Sequence, residues 1–73
     1  SMNAWTVSIK KHRATWQWFT TNPQGGGFGS SYCGPKHIAM ARATANIPIG
    51  ETYLVDGCQF LKRGLKARAA LTP

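Results

Sequence analysis

Hydrophobic and polar positions alternate at the start of the chain. In "AWTVSIKK", Trp5, Val7 and Ile9 fall on one face and Thr6, Ser8 and Lys10 on the other. That period of two is the pattern of a half-buried strand. "KKHR", Lys10 to Arg13, is a polar break. "ATWQWFTT" then predicts a second strand, rich in aromatic and β-branched residues. Trp16 and Trp18 share one of its faces, and Gln17 and Phe19 take the opposite one. The two runs pair as a hairpin with a basic tip, of a turn type that no Gly or Asn marks. One helix covers one face of a sheet only, so either the Trp16/Trp18 pair or Phe19 is left partly outside.

The period changes after the glycine-rich stretch. "GPKHIAMARATANIPIG" reads as a short helix. Pro35 suits its first position, and Ser31 or Gly34 can cap it. The alanines and Met40 favour the helical state, Asn46 can close it, and Pro48 stops it. Two apolar stripes compete: Ile38/Ala41/Ala45, or Met40/Ala43/Ile47. "ETYLVDGCQFL" is the clearest local signal, with two short apolar runs flanking Asp56-Gly57. That pair favours the left-handed dihedrals of a two-residue type I′ turn. The expected fold is therefore α+β: a small antiparallel sheet of two hairpins, one helix on one face, and a basic C-terminal tail. The boundaries read as a single ββαββ domain over 2–61 and a tail, flexible or forming one helical turn, over 62–73. Ser1 before Met2 has the look of a cloning remnant.

Composition sharpens the picture. The 73 residues carry nine Lys and Arg against two acids, a net charge of +7. A domain of this size hides only about 60% of the surface its unfolded chain exposes. It holds one small core, with little to spare for a deep catalytic cleft. Its field attracts phosphate backbones, anionic lipid or acidic protein surfaces. No apolar run approaches the roughly 20 residues of a membrane span, and Asn3 to Lys11 reads as a strand rather than a signal peptide. These readings point to the cytoplasm, where Cys33 and Cys58 are expected as free thiols.

"NPQGGGFGSSYCGPKH", Asn22 to His37, is the stretch most suggestive of chemistry. Gly29 and Gly34 have the separation of a nucleotide-binding P-loop, but Pro35 stands where that loop needs Lys, and His37 follows Lys36 where a hydroxyl is needed. An anion site at the helix start, with Lys36 and His37 beside it, remains open; a flexible connection is the plainer reading. Cys33, His37, Cys58 and His12 make a four-ligand set only on paper, because no Cys pair is close in sequence. With both acids by the second hairpin there is no paired-carboxylate site. No enzyme, metal site or cofactor is expected. The candidate contact residues are basic (Lys10, Lys11, His12, Arg13, Lys62, Arg63, Lys66 and Arg68) and aromatic (Trp16, Trp18 and Phe28).

With "MNAWTVSIKKHRATWQWFTT", "GPKHIAMARATANI" and "CQFLKRGLKARAALTP" in view, the whole chain resembles a small phage-encoded regulator of bacterial RNA polymerase. The type meant displaces σ from initiation and also acts as an anti-terminator. The likeness is one of overall chain, length and basic character; no short motif defines the class, so no residue role is carried over. It implies host polymerase as partner, engaged through its large subunits near the RNA exit region, the basic surface meeting acidic polymerase surface or nascent RNA or DNA alongside it; no membrane partner is expected, since the chain has no apolar run of spanning length. The residues alone also admit a direct nucleic-acid-binding module, or an inhibitor of another host nucleic-acid machine.

Overall fold

A computed structural model describes residues 4–64. The elements are β1 (Trp5–His12), β2 (Thr15–Thr21), β3 (Gly27–Cys33), α1 (Lys36–Ala43), β4 (Thr52–Val55) and β5 (Cys58–Leu61). The α+β layering expected from the sequence is present: one sheet, with one helix on one face. Two features differ from the expectation. The sheet has five strands in the order β3-β2-β1-β4-β5, so the order along the chain is βββαββ. It is also mixed, because β1 and β4 pair in parallel while the other neighbours are antiparallel.

The third strand lies inside the segment expected to be slack. Asn22 organises its entry. Its Oδ1 accepts the amides of Gln24 at 2.9 Å and Gly26 at 3.0 Å, while its own amide donates to the Gly26 carbonyl at 2.7 Å. That closes a tight loop over 22–26, and side-chain acceptance of this kind is what favours Asn at turns. Beyond it, Gly27 to Cys33 pairs with Thr21 to Thr15 in unbroken register. The glycine-rich stretch is thus a hairpin arm, and Ser31 lies within it rather than capping the helix.

Turn chemistry fixes the β4–β5 hairpin but not the first one. Asp56 and Gly57 both have positive φ, 49° and 87°, between the paired Val55 and Cys58. This is the type I′ geometry expected from the pair. The first hairpin closes between His12 and Thr15, and Arg13 takes φ 58°. A basic residue there occupies a conformation usually left to Gly, Asn or Asp.

From β3 at one edge the chain crosses through α1 to β4, which runs the same way as β1. The helix lies over β2 and β3. Its buried residues, Ala39 and Ala43, continue to Ile47, so the Met40/Ala43/Ile47 stripe faces the sheet. Pro35 stands one position earlier than expected, at the N-cap, and among the described residues no side chain caps the N-terminal end of the helix. The helix ends at Thr44, before Asn46; the Thr44 hydroxyl donates to the Met40 carbonyl at 2.8 Å.

The core comprises Val7, Ile9, Trp18, Ala39, Ala43 and Ile47, with Thr20 fully buried among them. An eight-residue helix is marginal by itself and depends on docking. The Thr20 hydroxyl supplies one tie, donating to the Ala43 carbonyl at 2.6 Å. A second comes from Lys62, whose Nζ donates to the Thr44 carbonyl at the same helix end. Positive charge is favourable there, because the last carbonyls lack helical partners. Backbone pairing also continues past Leu61: Gly50 donates to Lys62, and Lys62 to Glu51, each at 2.9 Å. Lys62 is therefore part of the fold, not the start of a tail.

Candidate interaction surface

The run Lys10 to Arg13 is divided by the pleat of β1. Lys11 lies on the helix side, opposite Trp16, and Lys10 and His12 lie on the uncovered side, opposite Gln17 and Thr15. Arg13 sits at the turn. The β1–β2 turn, the end of β3 and the start of α1 all lie at one end of the molecule, as antiparallel β1–β2–β3 order requires. That end collects Lys10, Lys11, Arg13 and Lys36, with His12 and His37. Both acids are elsewhere. Glu51 accepts from Trp5 Nε1 at 3.0 Å, and Asp56 is in the β4–β5 turn, its amide bonded to the Val7 carbonyl.

Aromatic rings are built into this basic end. Trp16 is half-buried and pairs with Lys11 on one side and Tyr32 on the other. The Lys11 ammonium lies 5.6 Å from the Trp16 ring centroid, and that of Lys36, from the first position of α1, lies 5.3 Å away. The Arg42 guanidinium covers Tyr32 at 4.4 Å. All three are within the range at which the negative ring face attracts a cation. The contacts hold flexible basic side chains in place against a sheet, which lowers the ordering cost of a charged contact.

The sequence-derived contact set is only partly brought together. Lys10, Lys11, His12, Arg13 and Trp16 share one end. Trp18 leaves the set: it is buried in the core, its Nε1 without an acceptor among the described residues. Lys62 and Arg63 follow β5 at the opposite end of the sheet, and Lys62 is occupied by the helix terminus. Lys66 and Arg68 lie outside the described residues. Phe28, 37% exposed, is on edge strand β3, on the helix side. Lys36 and Arg42 were missed as members, and Tyr32, an aromatic of the glycine-rich stretch like Phe28, joins them here. Their signal depends on β3 being a strand, because only then does Tyr32 lie beside Trp16.

No family model, curated protein or solved structure matches this chain.

The remaining candidate chemistry is quickly placed. Cys33 and Cys58 are free, exposed thiols on the two opposite edge strands, so the four-ligand set of Cys33, His37, Cys58 and His12 cannot assemble within the chain. Among the described residues no three His, Cys, Asp or Glu side chains come together. A broad concavity of about 740 Å³ lies between the helix end and β5. Its walls include Ala45, Ile47, Tyr53 and Leu61, with Asn46, Lys62 and Arg63. Among the described residues no helix is long and apolar enough to cross a membrane.

Proposed function

We propose that the protein is a non-catalytic interaction protein that binds bacterial RNA polymerase and regulates transcription in the host cytoplasm, inhibiting initiation and promoting anti-termination. The polymerase as partner rests on the likeness of the whole chain to small phage-encoded regulators of that enzyme. The observation that carries the binding reading is the acid-free basic end, with Trp16 flanked by Lys11 and Lys36. A rigid aromatic anchor ringed by cations suits an acidic protein surface: charge steers the encounter, and the ring supplies buried area. The large subunits are the proposed contact.

The test is capture of purified, nuclease-treated RNA polymerase by the immobilised full chain. Charge reversal of Lys11 and Arg13 together is expected to weaken capture at least about tenfold, mainly through slower association. Capture that is absent with the parent chain, or untouched by the reversal, would refute the reading.

A further inference from the structure

The face of the sheet that the helix leaves uncovered has its own organisation. Its residues on the three adjacent strands β1, β2 and β3 include Thr6, Ser8, Lys10, Gln17, Phe19 and Ser31. No strand position on this face is acidic. Phe19 is the exception in an otherwise polar field, 53% exposed at the centre of the three strands. The other apolar residues of the face, Leu54 and Leu61, lie beyond β1 on β4 and β5.

The ring is not adrift in solvent. A β-carbon at Gly27 would stand 2.6 Å from Phe19 Cε2, and one at Gly29 would stand 2.9 Å from Phe19 Cδ1. Opposite sides of the ring thus meet two glycines of β3, and the ring lies across them. Glycine at both places leaves the strand bare so that the aromatic can rest on backbone with its other side turned outward. Ser8, Lys10, Gln17 and Phe19 border one shallow depression beside it.

We propose that this open face binds single-stranded nucleic acid, with Phe19 as the stacking platform for an unpaired base and Lys10 as partner to the adjacent phosphate. The chain's charge of +7 complements a phosphate backbone. Bases within a duplex are stacked on each other and cannot reach a ring lying on a strand, whereas splayed bases can. The hydroxyl and amide side chains around Phe19 suit polar base edges better than the apolar centre of a protein interface. Covering bare glycines is the simpler role for Phe19, and any apolar side chain of similar size would serve it. Stacking requires a ring, which separates the two.

The experiment is fluorescence anisotropy of the full chain with labelled oligo(U), oligo(dT) and a duplex, each of about 12 nucleotides or base pairs, at low salt. At least one single strand should bind more tightly than the duplex, and the better of the two identifies the sugar preferred. Phe19→Leu should weaken that binding roughly 5- to 100-fold, while Phe19→Trp retains it. Lys10→Ala should flatten the salt dependence by about one phosphate contact. Circular dichroism matching the parent establishes that the Leu variant is folded. Duplex binding as tight as single-strand binding, or Phe19→Leu indistinguishable from Phe19→Trp, would overturn the proposal. Phe19 is on the opposite face from Trp16, so Phe19→Leu leaves polymerase capture unchanged and the two readings fail separately.

Discussion

Trp18 and Phe19 are adjacent in β2, yet one is 7% exposed and the other 53%. The pleat sends them to opposite faces of one sheet, and each large ring is met by the smallest residues of another element. Trp18 belongs to the core roofed by Ala39 and Ala43 of α1. Phe19 rests on Gly27 and Gly29 of β3. The helix adds a second layer and removes Trp18 from water. The glycines add nothing above Phe19, so its outer side stays wet. Small partners therefore serve two ends here: close packing of layers on one face, and presentation of an aromatic on the other.

The sharpest break of this contrast is at Trp18. Trp18→Ala should cost about 3–5 kcal/mol, the range for emptying a buried aromatic site. In so small a domain that approaches the whole stability. Trp18→Phe is the informative companion. It gives up some contact area but also removes the buried Nε1, which has no acceptor among the described residues. A buried unsatisfied donor costs about 1–3 kcal/mol, enough to offset most of the lost contact. Urea denaturation should place Trp18→Phe within about 1.5 kcal/mol of the parent. A Phe variant as unstable as the Ala variant would show that the indole nitrogen carries no penalty.

On the open face the decisive substitution is Gly29→Ala. In an unobstructed strand, replacing Gly by Ala should gain about 0.5–1 kcal/mol through backbone entropy. Here the new methyl would stand 2.7 Å from the Trp18 carbonyl and 2.9 Å from the Phe19 ring. Overpacking costs about 1–3 kcal/mol, so the net effect should be destabilising. Part of that cost belongs to the ring. In a Phe19→Ala background the penalty should shrink, giving a coupling of at least about 0.5 kcal/mol in a double-mutant cycle. Strict additivity would mean that the ring does not rest on the glycine. A stabilising Gly29→Ala would refute the contact outright.

These same contacts explain what the sequence could and could not convey. Period-two alternation made the inward Trp5, Val7 and Ile9 legible, and Asp56-Gly57 specified its turn without tertiary help. "GFGSSYC" has neither alternation of apolar residues nor β-branched side chains, so local preference argues against a strand. It becomes one because β2 offers a full row of backbone partners and because Phe19 supplies the apolar cover that its glycines lack. The missed strand hid the ring row of Trp16 and Tyr32, and with it the places of Lys36 and Arg42. Parallel pairing of β1 with β4 was equally out of reach, since it joins residues such as Trp5 and Tyr53 that no local rule connects. The basic end was half visible: the run from Lys10 to Arg13 named it, but only the pleat shows that Lys11 faces Trp16 while Lys10 faces the other way.

That division of neighbouring lysines supplies the smallest and most discriminating effect. Lys10 and Lys11 carry the same charge one residue apart, so a purely electrostatic role would make them interchangeable. Lys11 lies over Trp16 with Lys36, whereas Lys10 stands on the open face beside Phe19. Replacing Lys11 or Lys36 by Met keeps the aliphatic stem and removes the cation. Each should cost about 0.5–1 kcal/mol of stability, the size of an exposed cation–π contact, and the cost should vanish in a Trp16→Leu background. Lys10→Met should cost close to nothing, since an exposed charge without a specific partner contributes little to folding. Equal effects at positions 10 and 11 would mean that the ring contacts add nothing beyond the field. Unequal effects would show that the pleat has assigned one lysine to hold the aromatic anchor and left the other available for a ligand.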